Sequence, residues 1–191
     1  MLFERVTPDI QSDLVDILKR VRADMQQAVV ATVIGAPDDS GVTIGERLIL
    51  AHSGELKGGL RDDVIRPSVL ADMKSVIANG RSRVQKYRGP NRSIEAFIEL
   101  VSPPQKLVVF GAGHDAQPLV KFAKMLGWHV TVIDGRATFA VPSRFPLADE
   151  VRVIESHDSL LSTEELLDNA AVVIMTHSLE QDKNWLSLAL R

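Results

Sequence analysis

Apolar residues recur at Ile10, Leu14, Ile17, Leu18, Val21 and Met25, the one-sided spacing of an amphipathic helix. Thr7-Pro8-Asp9 stands at its start, with Thr7 able to cap and Pro8 at a position where a missing N–H does no harm. The spacing then changes to a β-branched run, AVVATVIGA from Ala28 to Ala36, closed by the turn-rich Pro37-Asp38-Asp39-Ser40-Gly41. ERLILAHSGEL reads as a second strand entering a turn at Ser53-Gly54, so the two runs predict a hairpin. A second helical face follows at Val64, Ile65, Val69, Leu70, Met73, Val76 and Ile77, with Pro67 near the first turn and Gly80 as the stop. SRVQKYR and SIEAFIELV predict two more strands, the second alternating through Ile94, Ala96, Ile98 and Leu100.

Ser102-Pro103-Pro104-Gln105 breaks this pattern, because consecutive prolines favour an extended connection. We place the domain boundary there, with an N-terminal α+β domain at 1–103 and a short Rossmann-like domain at 104–191. In the second part, KLVVF is an apolar run without alternation, as expected for a strand covered on both faces. A helix with Leu119, Val120, Phe122, Ala123 and Leu126 inward and Gly127 at its end comes next. HVTVID, DEVRVIE and AVVIMTH predict further strands; STEELLDNA, with a capping box from Ser162 to Glu165, and QDKNWLSLAL predict helices. Alternation of this kind predicts a parallel α/β sheet.

Composition narrows the classes of function. The 191 residues carry a net charge of −3, with 45% hydrophobic and 25% charged residues, which argues against disorder and against nucleic acid as a partner. There is no cysteine, so disulfides, cysteine-ligated metals and a thiol nucleophile are excluded on this chain. The first twenty residues mix acids and bases, which fits neither a signal peptide nor a membrane anchor and predicts a cytoplasmic location. No histidine pair has metal-ligand spacing, so no metal site is expected.

The chemistry concentrates at one junction. Gly111-Ala112-Gly113-His114-Asp115-Ala116 satisfies G-x-G-x-x-G/A between a strand and a helix. Gly111 would allow the turn, Gly113 the approach of a phosphate, and Ala116 close helix packing. Asp134 follows Gly111 by 23 residues, near the ~20 expected for an acid that accepts a ribose hydroxyl. Arg136 meets a phosphate, including a 2′-phosphate, or pairs with Asp134 or Asp149. Thr176, His177 and Ser178 offer ligand contacts after the last strand, or Ser178 caps the last helix. His114 and His177 fall at strand ends, the rim where parallel sheets bind ligands; His52, His129 and His157 read as structural. Asp115 complements the helix dipole, its expected role being a cap, and competes with a bound pyrophosphate for the same N–H groups. Lys57-Gly58-Gly59 reads as an anion cradle or a turn, and Arg81, Arg83, Lys86 and Arg88 as an alternating basic strand face that is solvated or attracts an acidic partner.

KLVVFGAGHDAQPLVKFAKMLGWHVTVIDGR, RFPLADEV and VVIMTHSLEQDKNWL together resemble the Rossmann-type domain of the XdhC/CoxI family, the accessory proteins of xanthine dehydrogenase and related molybdenum hydroxylases. GERLILAHSGELKGGLRDDVIRPSVL resembles the family's N-terminal glycine-rich loop, with Lys57 interrupting the glycine run. Where the family tends to carry Cys-Gly-Gly, this chain has Arg88-Gly89-Pro90-Asn91, and the family's later glycine and arginine motifs do not follow Arg191. The resemblance implies a chaperone-like protein that catalyses nothing by itself. It would bind molybdenum cofactor (molybdopterin) while a cysteine desulfurase installs its sulfido ligand, and deliver it to a molybdenum hydroxylase of xanthine dehydrogenase type. An NAD(P)-binding oxidoreductase or nucleotide-sensing domain and a non-catalytic regulatory remnant are the alternatives. Only four strands follow Leu107, so a homodimer that covers the missing half of the sheet is expected.

Overall fold

The structure is a computed structural model that describes residues 13–37, 40–60, 62–89, 92–154 and 166–190. The helix start at Thr7-Pro8-Asp9, the capping box from Ser162 to Glu165, Arg61, Asn91 and His157 lie outside these residues. The chain divides into two compact units, Met1–Pro103 and Pro104–Arg191.

The first unit is built on a five-stranded antiparallel sheet. Helix α1 (Asp13–Asp24) leads into β1 (Ala28–Gly35), β2 (Arg47–Ala51) and β3 (Leu56–Gly58); α2 (Arg66–Asn79) precedes β4 (Arg83–Gly89) and β5 (Arg92–Val101). The strand order is β3-β2-β1-β5-β4. β1 and β2 form the predicted hairpin, with Val30 opposite Ile49. β1 and β2 read as apolar runs because helices cover both of their faces: α2 packs Val69, Met73 and Val76 with Val29, Ala31 and Leu48, while Ile17 and Val21 of α1 pack with Val30 and Ile49. Leu18 is exposed, outside that stripe.

Three sequence expectations change here. Val64 is exposed because helix α2 begins only at Arg66; the turn before it is held by Asp62, whose Oδ1 accepts the N–H groups of Val64 and Ile65. Lys57-Gly58 belongs to strand β3, and Lys57 pairs with Glu55 at 3.6 Å. Gly58 has φ +102°, and an added Cβ there would strike the Arg47 carbonyl oxygen, so its role is strand packing. The basic residues of β4 do not share one face. Arg83 turns to α2, where Asp72 accepts from Arg83 Nη2 at 2.6 Å and from the Tyr87 hydroxyl at 2.7 Å. Lys86, of opposite strand parity, pairs with Glu95 across the ladder.

The second unit is an α/β Rossmann-type layer. β6 (Lys106–Phe110), α3 (Ala116–Met125), β7 (His129–Asp134), a 3₁₀ turn (Pro142–Arg144), β8 (Glu150–Val153), β9 (Ala170–Ile174) and α4 (Leu179–Ala189) follow in order. The four strands are parallel in the order β8-β7-β6-β9. Alternate residues of β6 serve opposite layers: Leu107 and Val109 pack with Ala116, Val120 and Ala123 of α3, and Val108 and Phe110 with Trp185 and Leu188 of α4. Phe110 and Trp185 stack at 4.5 Å between ring centroids. Each such fully buried side chain stabilises the fold by about 1.5–3 kcal/mol, which is why KLVVF shows no alternation. Phe122 and Leu126 are 66% and 70% exposed; the inward stripe is Ala116, Val120 and Ala123, and residues 122 and 126 fall beside it at 100° per residue.

Candidate functional site

The chain runs from β6 to β7 and β8 on one side and returns to β9 on the other. This puts a topological switch point between β6 and β9, where open parallel sheets form a crevice at their carboxyl ends. Phe110 lies opposite Ile133 on β7 and Ile174 on β9, so the segments after these strands emerge side by side: Gly111 to Asp115, Asp134 to Arg136, and Met175 to Ser178.

Gly111 is fixed by its surroundings. Its φ is +117°, and an added Cβ would come within 2.5 Å of the Met175 carbonyl oxygen; a side chain there would collide with the strand exit as well as strain the backbone. Its N–H donates to the Ile133 carbonyl at 2.7 Å, and the Met175 N–H donates to that of Phe110 at 2.8 Å. Ala112 is fully buried and its N–H is spent on Asp134 Oδ2 at 2.8 Å. Ala116 is likewise buried, seating α3 against the sheet.

Gly113 differs in kind. A Cβ added there would meet Asp115 Oδ1 and stand 3.5 Å from His177 Nε2. The carboxylate of Asp115 and the imidazole of His177 therefore converge over the residue that the motif keeps bare for a phosphate. Asp115 occupies the N-cap position of α3, yet its side chain makes no capping hydrogen bond, which corrects the expected capping role: the carboxylate is turned over Gly113 and not toward the helix N–H groups. Asp115, His114 and His177 are exposed. Among the described residues, the N–H groups of Gly113 and His114 have no backbone acceptor.

Asp134 is the most constrained group of the rim. Its side chain is 6% exposed. Oδ1 accepts from Arg136 N at 2.8 Å and Arg136 Nε at 2.9 Å, and Oδ2 from Ala112 N and from Arg136 Nη2 at 2.7 Å. Four donors fill the roughly four acceptor positions of a carboxylate. Burial pushes the carboxyl up, but the Arg136 guanidinium and the two backbone N–H groups outweigh it and bring the pKa down to about 2. The acid anticipated as a ribose acceptor is thus occupied from within. Of the partners considered for Arg136, the one realised is Asp134; Asp149 is held by Lys124 at 2.6 Å.

Thr176 and Ser178 are drawn into building α4. The Thr176 hydroxyl donates to the Asp182 carboxylate and accepts the Ser178 N–H, while Ser178 Oγ accepts from Gln181 N at 3.4 Å as the N-cap. Of the nine residues singled out in the sequence, His114 and His177 are exposed at the rim, and Arg136 keeps an edge that Asp134 does not engage. His129 opens β7, at the end of the strand opposite Asp134.

Two residues went unread as a site. Phe139 carries the guanidinium of Arg136 at 4.0 Å and that of Arg144 at 4.7 Å from its ring centroid. Arg144 Nη1 donates to the Phe139 carbonyl at 3.4 Å, and Nη2 is buried with no hydrogen-bond partner. The sequence signal was the arginine of RFPLADEV, which carries no spacing rule linking it to Arg136. Among the described residues no cluster of three His, Asp or Glu side chains could hold a metal ion, and no helix is long and apolar enough to cross a membrane.

Comparison with known proteins bears on this unit. Residues 107–191 match the family model of the XdhC Rossmann domain. A probable subunit of xanthine dehydrogenase from Bacillus subtilis (strain 168) is 31% identical over 93 residues, which are 49% of this chain and 28% of that protein. This chain thus matches only a minor part of its curated relative. A solved structure described as a xanthine dehydrogenase from Bacillus halodurans is 18% identical, covering 91% of this chain and 77% of its own, with a TM-score of 0.45.

Proposed function

We propose that this chain, whose residues 107–191 match the family model of the XdhC Rossmann domain, is an accessory protein of a molybdenum hydroxylase, holding molybdenum cofactor at the rim of its parallel sheet. The observation that carries this reading is the saturation of Asp134. A nicotinamide dinucleotide bound in the usual way asks this acid for a lone pair to its ribose, and all of its acceptor positions are engaged. A phosphate-bearing pterin asks instead for cationic and N–H donors, and Arg136, Arg144, His114 and His177 supply them. The bound group would supply redox chemistry to the hydroxylase that receives it; the residues of this chain bind it and shield it. A desulfurase acting on the held cofactor belongs to the same proposal, since this chain has no cysteine to carry sulfur.

The dinucleotide reading keeps one specific support, the G-x-G-x-x-A turn between β6 and α3. Calorimetric titration with molybdenum cofactor, NAD and NADP separates the two. The expected result is binding of the pterin in preference to NAD, weakened about tenfold or more in Gly113→Val, whose side chain would enter the space shared by Asp115 and His177. Tight NAD binding without affinity for the pterin would overturn the reading, and binding of none would leave a regulatory remnant.

We further propose a homodimer formed along the sheet edge. β9 is an edge strand of apolar, half-buried residues in the described sheet, and such edges are ordinarily paired or covered. Light scattering after size-exclusion should give twice the 21.0 kDa chain mass; a stable monomer at micromolar concentration would remove the dimer without touching the ligand.

A further inference from the structure

We propose that the phosphate of the ligand is seated on the Arg136 and Arg144 pair and not on the glycine loop. The inference rests on the reading that the rim takes a phosphate-bearing cofactor, and it reverses the assignment that the glycine motif invites.

The loop argues against itself. The space over Gly113 is taken by Asp115 Oδ1, and the Asp115 carboxylate makes no hydrogen bond with the helix it precedes. A phosphate entering there would meet a second anion at contact distance, before any helix-dipole attraction could act. Ala112, the buried residue between the two glycines, has already given its N–H to Asp134.

The arginine pair offers the opposite. Both guanidinium groups lie against one aromatic ring, Phe139, at 4.0 and 4.7 Å from its centroid, and the ring quadrupole attracts each cation. Arg136 turns Nε and Nη2 to Asp134, so its Nη1 edge faces away from that carboxylate. Arg144 has a donor, Nη2, shut off from water with no acceptor. A charged donor left buried and unpaired is unfavourable until an acceptor reaches it. The carboxylates of the nearby β8 region are engaged elsewhere: Asp149 binds Lys124 and Glu150 binds Arg152. With Asp134 balancing one charge, the pair keeps one net positive charge for an incoming anion. The chemistry recognised is a phosphate ester group, as carried by a phosphorylated pterin or by the 2′-phosphate of a dinucleotide.

The test is a titration of the whole chain with inorganic phosphate, followed by proton–nitrogen NMR of both backbone amides and arginine Nε groups. The expected result is movement of the Arg136 and Arg144 Nε signals ahead of the amides of Gly113 to Ala116. Arg144→Gln should weaken phosphate binding about tenfold or more, the scale of a lost charge-assisted hydrogen bond, and Asp115→Asn should change it by no more than about twofold. Arg144→Lys, which keeps the charge and loses the planar fork, should fall between wild type and Gln, and serves if the Gln variant does not fold. NADP or a phosphorylated pterin that displaces inorganic phosphate from the arginine signals identifies the source of the group, and either displacement supports the seat. Loop amides moving first, with Asp115→Asn binding about tenfold tighter and Arg144→Gln unchanged, would overturn the seat while the cofactor reading survives. No phosphate-induced shift at millimolar concentrations would overturn the seat, while the cofactor reading stands or falls by the titration with molybdenum cofactor, NAD and NADP.

Discussion

Gly111→Ala should destabilise the C-terminal unit by about 3–5 kcal/mol, a large share of the roughly 5–15 kcal/mol that holds an ordinary domain folded. Two effects add. Alanine at φ +117° carries backbone strain on the order of 1–3 kcal/mol. Its Cβ would also lie 2.5 Å from the Met175 carbonyl oxygen and 2.8 Å from its carbon, so the exit of β9 must move. That motion loosens the Met175 N–H bond to Phe110, which joins β9 to β6. Gly113→Ala provides the contrast: its Cβ meets the end of the exposed Asp115 side chain, which can swing away, so its stability should stay within about 1 kcal/mol of wild type. Urea unfolding followed by tryptophan fluorescence measures this directly, because both tryptophans, Trp128 and Trp185, lie in this unit. Equal midpoints for the two variants would show that Gly111 is only a permissive turn residue.

Asp134→Asn should cost about 2–4 kcal/mol at neutral pH, as expected when one member of a buried, hydrogen-bonded ion pair is neutralised. The amide keeps a single acceptor oxygen, so it can serve the donors now at Oδ2, Ala112 N and Arg136 Nη2, or those at Oδ1, Arg136 N and Nε, but not all four. The acid limb of the stability profile provides a second readout. The carboxyl of Asp134 is held down at about 2 in the folded chain, against about 4 in an unfolded one. Its contribution is therefore fully present above about pH 4 and is lost as pH falls from there toward about 2, where the folded form is protonated too. The wild-type urea midpoint should drop across that window by the equivalent of about 2 kcal/mol more than that of Asp134→Asn. Parallel acid limbs would mean that the carboxylate bonds to Arg136 and Ala112 contribute nothing.

Much of the second unit is legible along the chain because each buried strand carries its own signal. KLVVF and HVTVID are buried on both faces, and covering both faces is what a parallel sheet between helices requires. The glycine motif and Asp134 were legible for the same reason: they are local, and their spacing follows from one strand–helix–strand unit. The errors fall where neighbours in space decide. Phe122 and Leu126 satisfy the helical pattern as well as Val120 and Ala123 do, but only the position of the sheet under α3 selects which residues are covered. β3 was missed because Leu56-Lys57-Gly58 carries no alternation; it forms by pairing with β2.

For the site, the sequence by itself determined which residue types would be gathered at the rim: two glycines, an acid and an arginine after β7, and a histidine after β6 and another after β9. It determined them because parallel strands deliver every following loop to the same edge. What only the tertiary structure decided is the use of each group. Asp134 accepts from Arg136 and from the buried Ala112 N–H, Thr176 and Ser178 cap α4, Asp115 turns over Gly113, and Arg144 shares the Phe139 ring with Arg136. Charge and hydrogen bonding act through distance in space, and two arginines eight residues apart come to share one set of surroundings only when the fold lays them on the same ring.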